Sequence, residues 1–308
     1  MSRPDGTGRQ SARREKIAAQ RRRERRGRTR NRVLLASGAI VVIIVLVVVF
    51  VVLKAASGPS APSARGTSNG PTGNALAKVV SQVTNVPAST LDAVGAGSVT
   101  SPPVSINGPP LTSGGKPEML YIGAEYCPFC AAERWGMIVA LSRFGTLHGL
   151  RTVHSSSTDY APNTPTFTFY GSSYASRYLE FTPVELTTNV PDKSAPLEYK
   201  PLQKPTPAQQ ALMSKYDAPP YVPSQSQGSI PFVTIGNKYL IVGSSFDPKS
   251  LAGKSWSTIA SSLKNPASPV ARSIGGTANY ITAAICGVTG NRPATACTAV
   301  VRSLESKI

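Results

Sequence analysis

Glu125-Tyr126-Cys127-Pro128-Phe129-Cys130 is the stretch whose reading decides the fold. It is a Cys-x-x-Cys with a proline directly after the first cysteine. The short apolar run at 119–123 precedes it. Residues 131–141 follow with helical spacing, and Trp135, Ile138, Val139 and Leu141 share a broad apolar face. Strand, tight turn, cysteine pair and helix, in that order, form the frame that thiol–disulfide chemistry uses. Cys127 then stands at a helix N-terminus, where unpaired N–H groups and the helix dipole favour a thiolate. Pro128 suits the first turn, because the N–H it lacks would have no partner there. Phe129 adds apolar surface beside the sulfur. Cys130, one turn inward, is placed to attack a mixed disulfide and release its product.

Two other uses of such a pair stand beside this one. Zinc needs four ligands. The next cysteine, Cys286, lies 156 residues on, and the two histidines, His148 and His154, have no ligand-like spacing to the pair. No metal and no cofactor are therefore expected. An inert structural disulfide is the remaining alternative. Glu125 is the one acid beside the pair. It is expected to be a solvated residue at the loop edge, with a proton relay to Cys130 as its other use. His154, at a strand end, is read as structural.

The surroundings of the pair follow from charge. Residues 1–32 hold a net charge of +10 of the chain's +18, with few apolar side chains. Such a tail cannot bury a core. Val33 and Leu53 bound 21 residues without a charge, dominated by Val, Ile and Leu. A helix of that length spans the roughly 30 Å hydrocarbon core. Twelve arginines precede this run, whereas Lys54 and Arg65 are the only basic residues in the twenty after it. The expectation is a basic cytoplasmic tail at 1–32 and an uncleaved single-pass membrane helix at 33–53. A linker rich in Ser, Pro and Gly at 54–74 and an extracytoplasmic domain at 75–308 then follow. The tail lacks interleaved aromatics, so no nucleic-acid partner is expected. All four cysteines then lie where disulfides persist. The spacing pairs Cys127 with Cys130 and Cys286 with Cys297. The second pair is read as a structural disulfide, a redox relay being the alternative.

Within the domain, a short helix is expected at 75–83 with Asn74 as its cap, and strands at 119–123, 150–155 and 166–170. A further strand, interrupted at Pro183, covers 178–186. Residues 187–228 contain eight prolines and read as an insertion carrying one helix after Thr206-Pro207. Residues 230–235 and 239–243 form a hairpin about Gly236-Asn237-Lys238. Helices at 256–263, 278–286 and 294–304 close the chain, the last two as a helical hairpin.

Tyr121-Ile122-Gly123-Ala124-Glu125-Tyr126-Cys127-Pro128-Phe129-Cys130 resembles the active-site unit of thioredoxin-fold oxidoreductases. The resemblance implies an α/β fold with a thioredoxin-like central mixed sheet flanked by helices. It also implies a cis-proline opening a later strand against the cysteine pair. Ile230-Pro231, before Phe232-Val233-Thr234-Ile235, stands in that place. Pro231, Ile230, Tyr126, Pro128 and Phe129 then shape a substrate groove. More narrowly, the run from Gly123 to Trp135, with Thr164-Pro165-Thr166-Phe167 and Phe181-Thr182-Pro183-Val184-Glu185, resembles a membrane-anchored family catalogued as domain of unknown function 929. That likeness covers roughly residues 75–305 and assigns no substrate. Thioredoxin itself carries Trp before its first cysteine and Gly-Pro between the two. Tyr126 and Pro128-Phe129 replace them here, so the direction of electron flow does not carry over.

The expected function is membrane-anchored thiol–disulfide exchange with cysteine-containing extracytoplasmic proteins, through Cys127 and Cys130, with a redox partner to recycle the pair. A non-enzymatic envelope scaffold on the same frame, stapled by its disulfide, is the alternative.

Overall fold

The structure, a computed structural model, describes residues 66–308. The expected tail, the membrane span and the first part of the linker lie outside the described residues. Among the described residues, no helix is long and apolar enough to cross a membrane.

The central strand is β3, Lys116–Gly123, whose last five residues are all buried. Its neighbours define a mixed sheet. Strand β11, Phe232–Ile235, runs antiparallel along one side, with Val233 opposite Tyr121. Strand β12, Tyr239–Val242, pairs antiparallel with β11, and the two-residue β1, Val104–Ser105, caps that edge. On the other side β3 pairs first with β2, Thr112–Ser113, and then in parallel with β8, Glu180–Glu185. A parallel neighbour requires a crossover. Helix α3, Pro128–Leu141, begins that crossover directly after β3.

Alternation along β3 sends side chains to both faces. Met119 and Tyr121 join Trp135 and Ile138 of α3 in the larger apolar cluster. Leu120 and Ile122 join Val184, Phe232, Leu240 and Tyr216 in the smaller one. Tyr216 ends α4, Pro207–Tyr216, inside the Pro-rich segment. The insertion therefore covers the second face of the sheet. Its helix starts as its sequence predicts, with a capping box of Thr206 and Gln209 and proline in the first turn. The same segment also forms a small sheet of β9, Thr187–Pro191, and β10, Tyr199–Pro201.

A second insertion separates α3 from β8. The expected strands near 150–155 and 166–170 are β5, Arg151–His154, and β6, Pro165–Thr168, which pair antiparallel. The pairing of β4, Gly145–His148, with β7, Ser173–Ser176, was not expected. These strands are mostly polar and half exposed, so they carry little apolar periodicity to read. Pro183 does not interrupt β8: it lies opposite Tyr121 within one continuous strand. Its missing N–H falls at an edge, where no ladder bond is lost.

Three helix boundaries differ from expectation. Helix α1 is Gly73–Thr84, and Asn74 lies in its first turn, because the Leu76 N–H donates to the Thr72 carbonyl at 3.2 Å. Upstream of it the chain is already tied down, with the Thr67 N–H donating to Asn189 Oδ1 at 2.7 Å. A short α2, Ala88–Val94, was not expected. The C-terminal pair is a 21-residue helix, α6, Pro269–Thr289, and a shorter α7, Ala299–Glu305. The helix expected at 278–286 leaves out Gly275 and Gly276. In α6 they let the helix approach Val94, Ala96 and Gly97 closely. Ser268 caps α6 and Pro269 fills its first turn. Between α3 and α6, Trp256–Ser262 forms α5.

Cys286 in α6 is disulfide-bonded to Cys297, which lies in the loop before α7 rather than within a helix. Both residues are completely buried. Replacing both with alanine is expected to lower stability by about 3 kcal/mol, the loop-closure entropy of a short loop. Equilibrium unfolding in urea with and without the double substitution measures it.

Candidate active site

Cys127 is the N-cap of α3, and its sulfur accepts the Cys130 N–H at 3.1 Å. Pro128 follows in the first turn, as its lost donor allows. The Cys127 thiol donates to the Ile230 carbonyl at 3.5 Å. The Ile230–Pro231 bond is cis, as the resemblance implied. Cys127 retains 4% exposure and Cys130 none. Both are buried, but Cys127 borders a cleft, whereas Cys130 is sealed behind it.

A cleft of about 710 Å³ opens over Cys127. Tyr126, Pro128, Phe129 and Ile230 line it together with Tyr160 and Phe246. Pro231 is buried and reaches the cleft only through its neighbour Ile230. A second cleft, of about 800 Å³, lies between α1 and α5 and holds His154 but no cysteine. In the smaller cleft the Cys127 sulfur and the Ile230 carbonyl converge. His154 belongs to the other and bonds through Nδ1 to the Ser155 carbonyl at 2.8 Å.

Two aromatic contacts frame the pair, and sequence reading found neither. Tyr199 of β10 stacks on Tyr126 with centroids 4.3 Å apart, and its hydroxyl donates to Ser156 at 2.7 Å. Tyr160 stacks on the exposed Phe129 at 5.6 Å. Each tyrosine comes from an insertion far from the cysteines in sequence, so no local pattern marks it.

Behind the sulfurs lies a set of buried charges. Arg134, one turn beyond Cys130, makes a two-pronged ion pair with Glu185 at 3.0 and 2.7 Å and donates to the Ala124 carbonyl at 2.7 Å. Both side chains of the pair are inaccessible. Glu133 accepts the Ser245 N–H at 2.8 Å and its hydroxyl at 3.0 Å, which anchors the loop at 243–248 that forms one cleft wall. Burial pushes the Glu133 carboxyl up to about 7, although the two Ser245 bonds oppose the shift. Burial also raises the Cys130 thiol well above the ordinary range, helped by its contact with Cys127 and opposed by Arg134.

Glu125 is not the solvated loop residue that was expected. It is fully buried, and the Thr168 hydroxyl is the polar group that reaches toward its carboxylate. Its N–H donates to the Thr187 carbonyl at 3.0 Å, which ties the loop to β9 and turns the side chain inward. Burial raises its pKa to about 7, with the Thr168 hydroxyl drawing it partly back.

This chain belongs to the family described as Domain of unknown function (DUF929), whose family model matches residues 102–287. The match takes in the cysteine pair, both insertions and Cys286. No curated protein and no solved structure matches the chain. Among the described residues of this family member, no group of three or more His, Cys, Asp or Glu could hold a metal ion.

The folded protein holds the Glu125 proton more tightly than the unfolded chain does. Stability from this group is therefore fullest below about 4.5 and falls as the pH rises to about 7. Glu125→Gln is expected to be near neutral at pH 4. At pH 8 it should stabilise by an amount on the order of 2–3 kcal/mol. Denaturant unfolding at the two pH values checks this; equal effects at both would contradict it.

Proposed function

We propose that the protein is a membrane-anchored, extracytoplasmic thiol–disulfide oxidoreductase on a thioredoxin-like frame. The observation that carries the reading is the geometry at Cys127. Its sulfur sits at a helix N-terminus on the Cys130 N–H, beside the Ile230 carbonyl, and opens to a cleft, while Cys130 is sealed behind it. The thioredoxin-like reading of the mixed sheet is supported by three features. The cysteines follow a central strand, β8 lies parallel to that strand, and Ile230–Pro231 opens an antiparallel hairpin. The membrane anchor rests on residues 33–53 and the basic tail before them.

In this account the Cys127 thiolate attacks a substrate disulfide, forming a mixed disulfide and releasing one substrate sulfur as a thiolate. Cys130 then attacks Cys127, closes the internal disulfide and frees the second sulfur. Two electrons pass to the substrate. Run in reverse, a substrate thiolate attacks Cys127 and two electrons pass to the protein. The oxidising compartment favours oxidation or isomerisation of secreted or envelope proteins. The aromatic rim of Phe129 and Tyr160 supplies apolar contact for an extended substrate segment.

Cys130→Ala should accumulate mixed disulfides on Cys127 in the native envelope, visible as reductant-sensitive adducts. Cys127→Ala should accumulate none. Failure of Cys130→Ala to trap any adduct would instead favour a scaffold with no exchange activity.

A further inference from the structure

Tyr121 of β3 is fully buried, and its hydroxyl has no hydrogen-bond partner among the described residues. It shares one small space with the Cys130 sulfur. A Cβ on Gly123 would collide with the Tyr121 hydroxyl and lie 3.1 Å from Cys130 Sγ. Gly123 is thus the residue that lets the phenol and the thiol approach. Arg134 borders the same space, its guanidinium carbon 5.7 Å from the centre of the Tyr121 ring. Its Nε and Nη2 are engaged by Glu185 and the Ala124 carbonyl, but Nη1 is buried without a partner.

Buried donors without acceptors are uncommon in folded proteins and call for a reason. One of them, the Tyr121 hydroxyl, lies beside the Cys130 sulfur, and the other belongs to Arg134, whose charge acts on that sulfur. A thiol is a weak acceptor, whereas a thiolate is a strong one. Cys130 is closed to solvent, so charge on it can be stabilised only by protein donors.

We propose that Tyr121, with Arg134 beside it, is an internal receptor for the thiolate that Cys130 carries during exchange. This rests on the exchange reading above. In the mixed disulfide, the Cys130 thiolate attacks Cys127 Sγ. The Cys127–Cys130 bond forms, the bond to the substrate sulfur breaks, and the departing thiolate takes up the proton that Cys130 lost. In the opposite direction a substrate thiolate attacks Cys127, and Cys130 is the leaving group. Both directions pass through charge on Cys130, and neither needs a further reactant.

The charged and titratable groups around that sulfur come from three elements. Cys127 and Arg134 face it from α3 and Tyr121 from β3, while Glu185 of β8 acts on it through Arg134. Glu125 lies in the loop between β3 and α3 and exerts its effect on the Arg134–Glu185 side. Burial keeps the Tyr121 phenol protonated, so it can serve only as a donor.

Tyr121→Phe is the test, because it removes an unpartnered hydroxyl and no existing hydrogen bond. The fold should be as stable as before or slightly more so. In a chain carrying Cys127→Ala, the thiol titration of Cys130 should move up by about one pH unit, the weight of one hydrogen bond to a charged sulfur. In the chain with both cysteines, release of glutathione from its mixed disulfide on Cys127 should slow by about tenfold near neutral pH and recover at high pH. An unchanged titration and an unchanged release rate would overturn the proposal, as would a loss of melting temperature without a shifted titration. If the parent chain forms no mixed disulfide with glutathione, the exchange reading itself fails. The Cys130 titration then still decides whether Tyr121 meets its charge.

Discussion

The buried pair of Arg134 and Glu185 joins four parts of the molecule. Arg134 projects from α3 one turn after Cys130, and Glu185 ends β8 directly opposite Gly123. The same carboxylate accepts the Phe169 N–H at 3.2 Å from the segment after β6. The Glu185 backbone exchanges bonds with Gln203 in the Pro-rich insertion, at 2.8 Å to its side chain and 3.0 Å from its N–H. Taking two charges out of water is expensive, and an apolar pair of the same shape is often as stable. Loss of one partner alone leaves the other charge buried, at about 3–5 kcal/mol. The pair therefore acts as a constraint more than as a source of stability. It fixes how α3 lies against β3 and β8, and hence where both sulfurs stand.

The cleft, in contrast, is assembled from the insertions. Tyr160 comes from the loop between β5 and β6 and Tyr199 from β10, and each stacks on a residue flanking a cysteine. The loop at 243–248, anchored by Glu133, supplies the facing wall. The sheet and α3 position the sulfurs, while the insertions shape what can reach them. This division between a rigid frame and variable loops is a common way to build a site. It explains why a segment with eight prolines is ordered here: its helix buries Tyr216 against the sheet.

The frame was legible because its signals are local. The apolar run before Cys127, the helical spacing after Cys130, the Thr206-Pro207 cap and the turn before Tyr239 each lie within a few residues. Ile230–Pro231 came from the resemblance alone, since composition does not distinguish a cis from a trans proline. The rest was hidden for physical reasons. Glu125 reads as a surface acid until the Thr187 contact folds it inward. Arg134 follows Glu133 in a helix whose other residues are apolar, and only the distant Glu185 explains why it is tolerated there. The length of α6 was masked by Gly275 and Gly276, which act as packing surfaces rather than as breaks. Strands β4 and β7 pair through backbone bonds that their polar side chains do not advertise.

The central claim is that Cys127 and Cys130 form a reversible redox couple while Cys286 and Cys297 do not. Native protein equilibrated across glutathione and dithiothreitol buffers, then alkylated and weighed by mass spectrometry, tests it most directly. The account predicts that two thiols appear and disappear together at one midpoint and map to Cys127 and Cys130. Cys286 and Cys297 should stay unlabelled until the protein is unfolded. A cysteine pair at 127 and 130 that keeps one state across the whole range would contradict it.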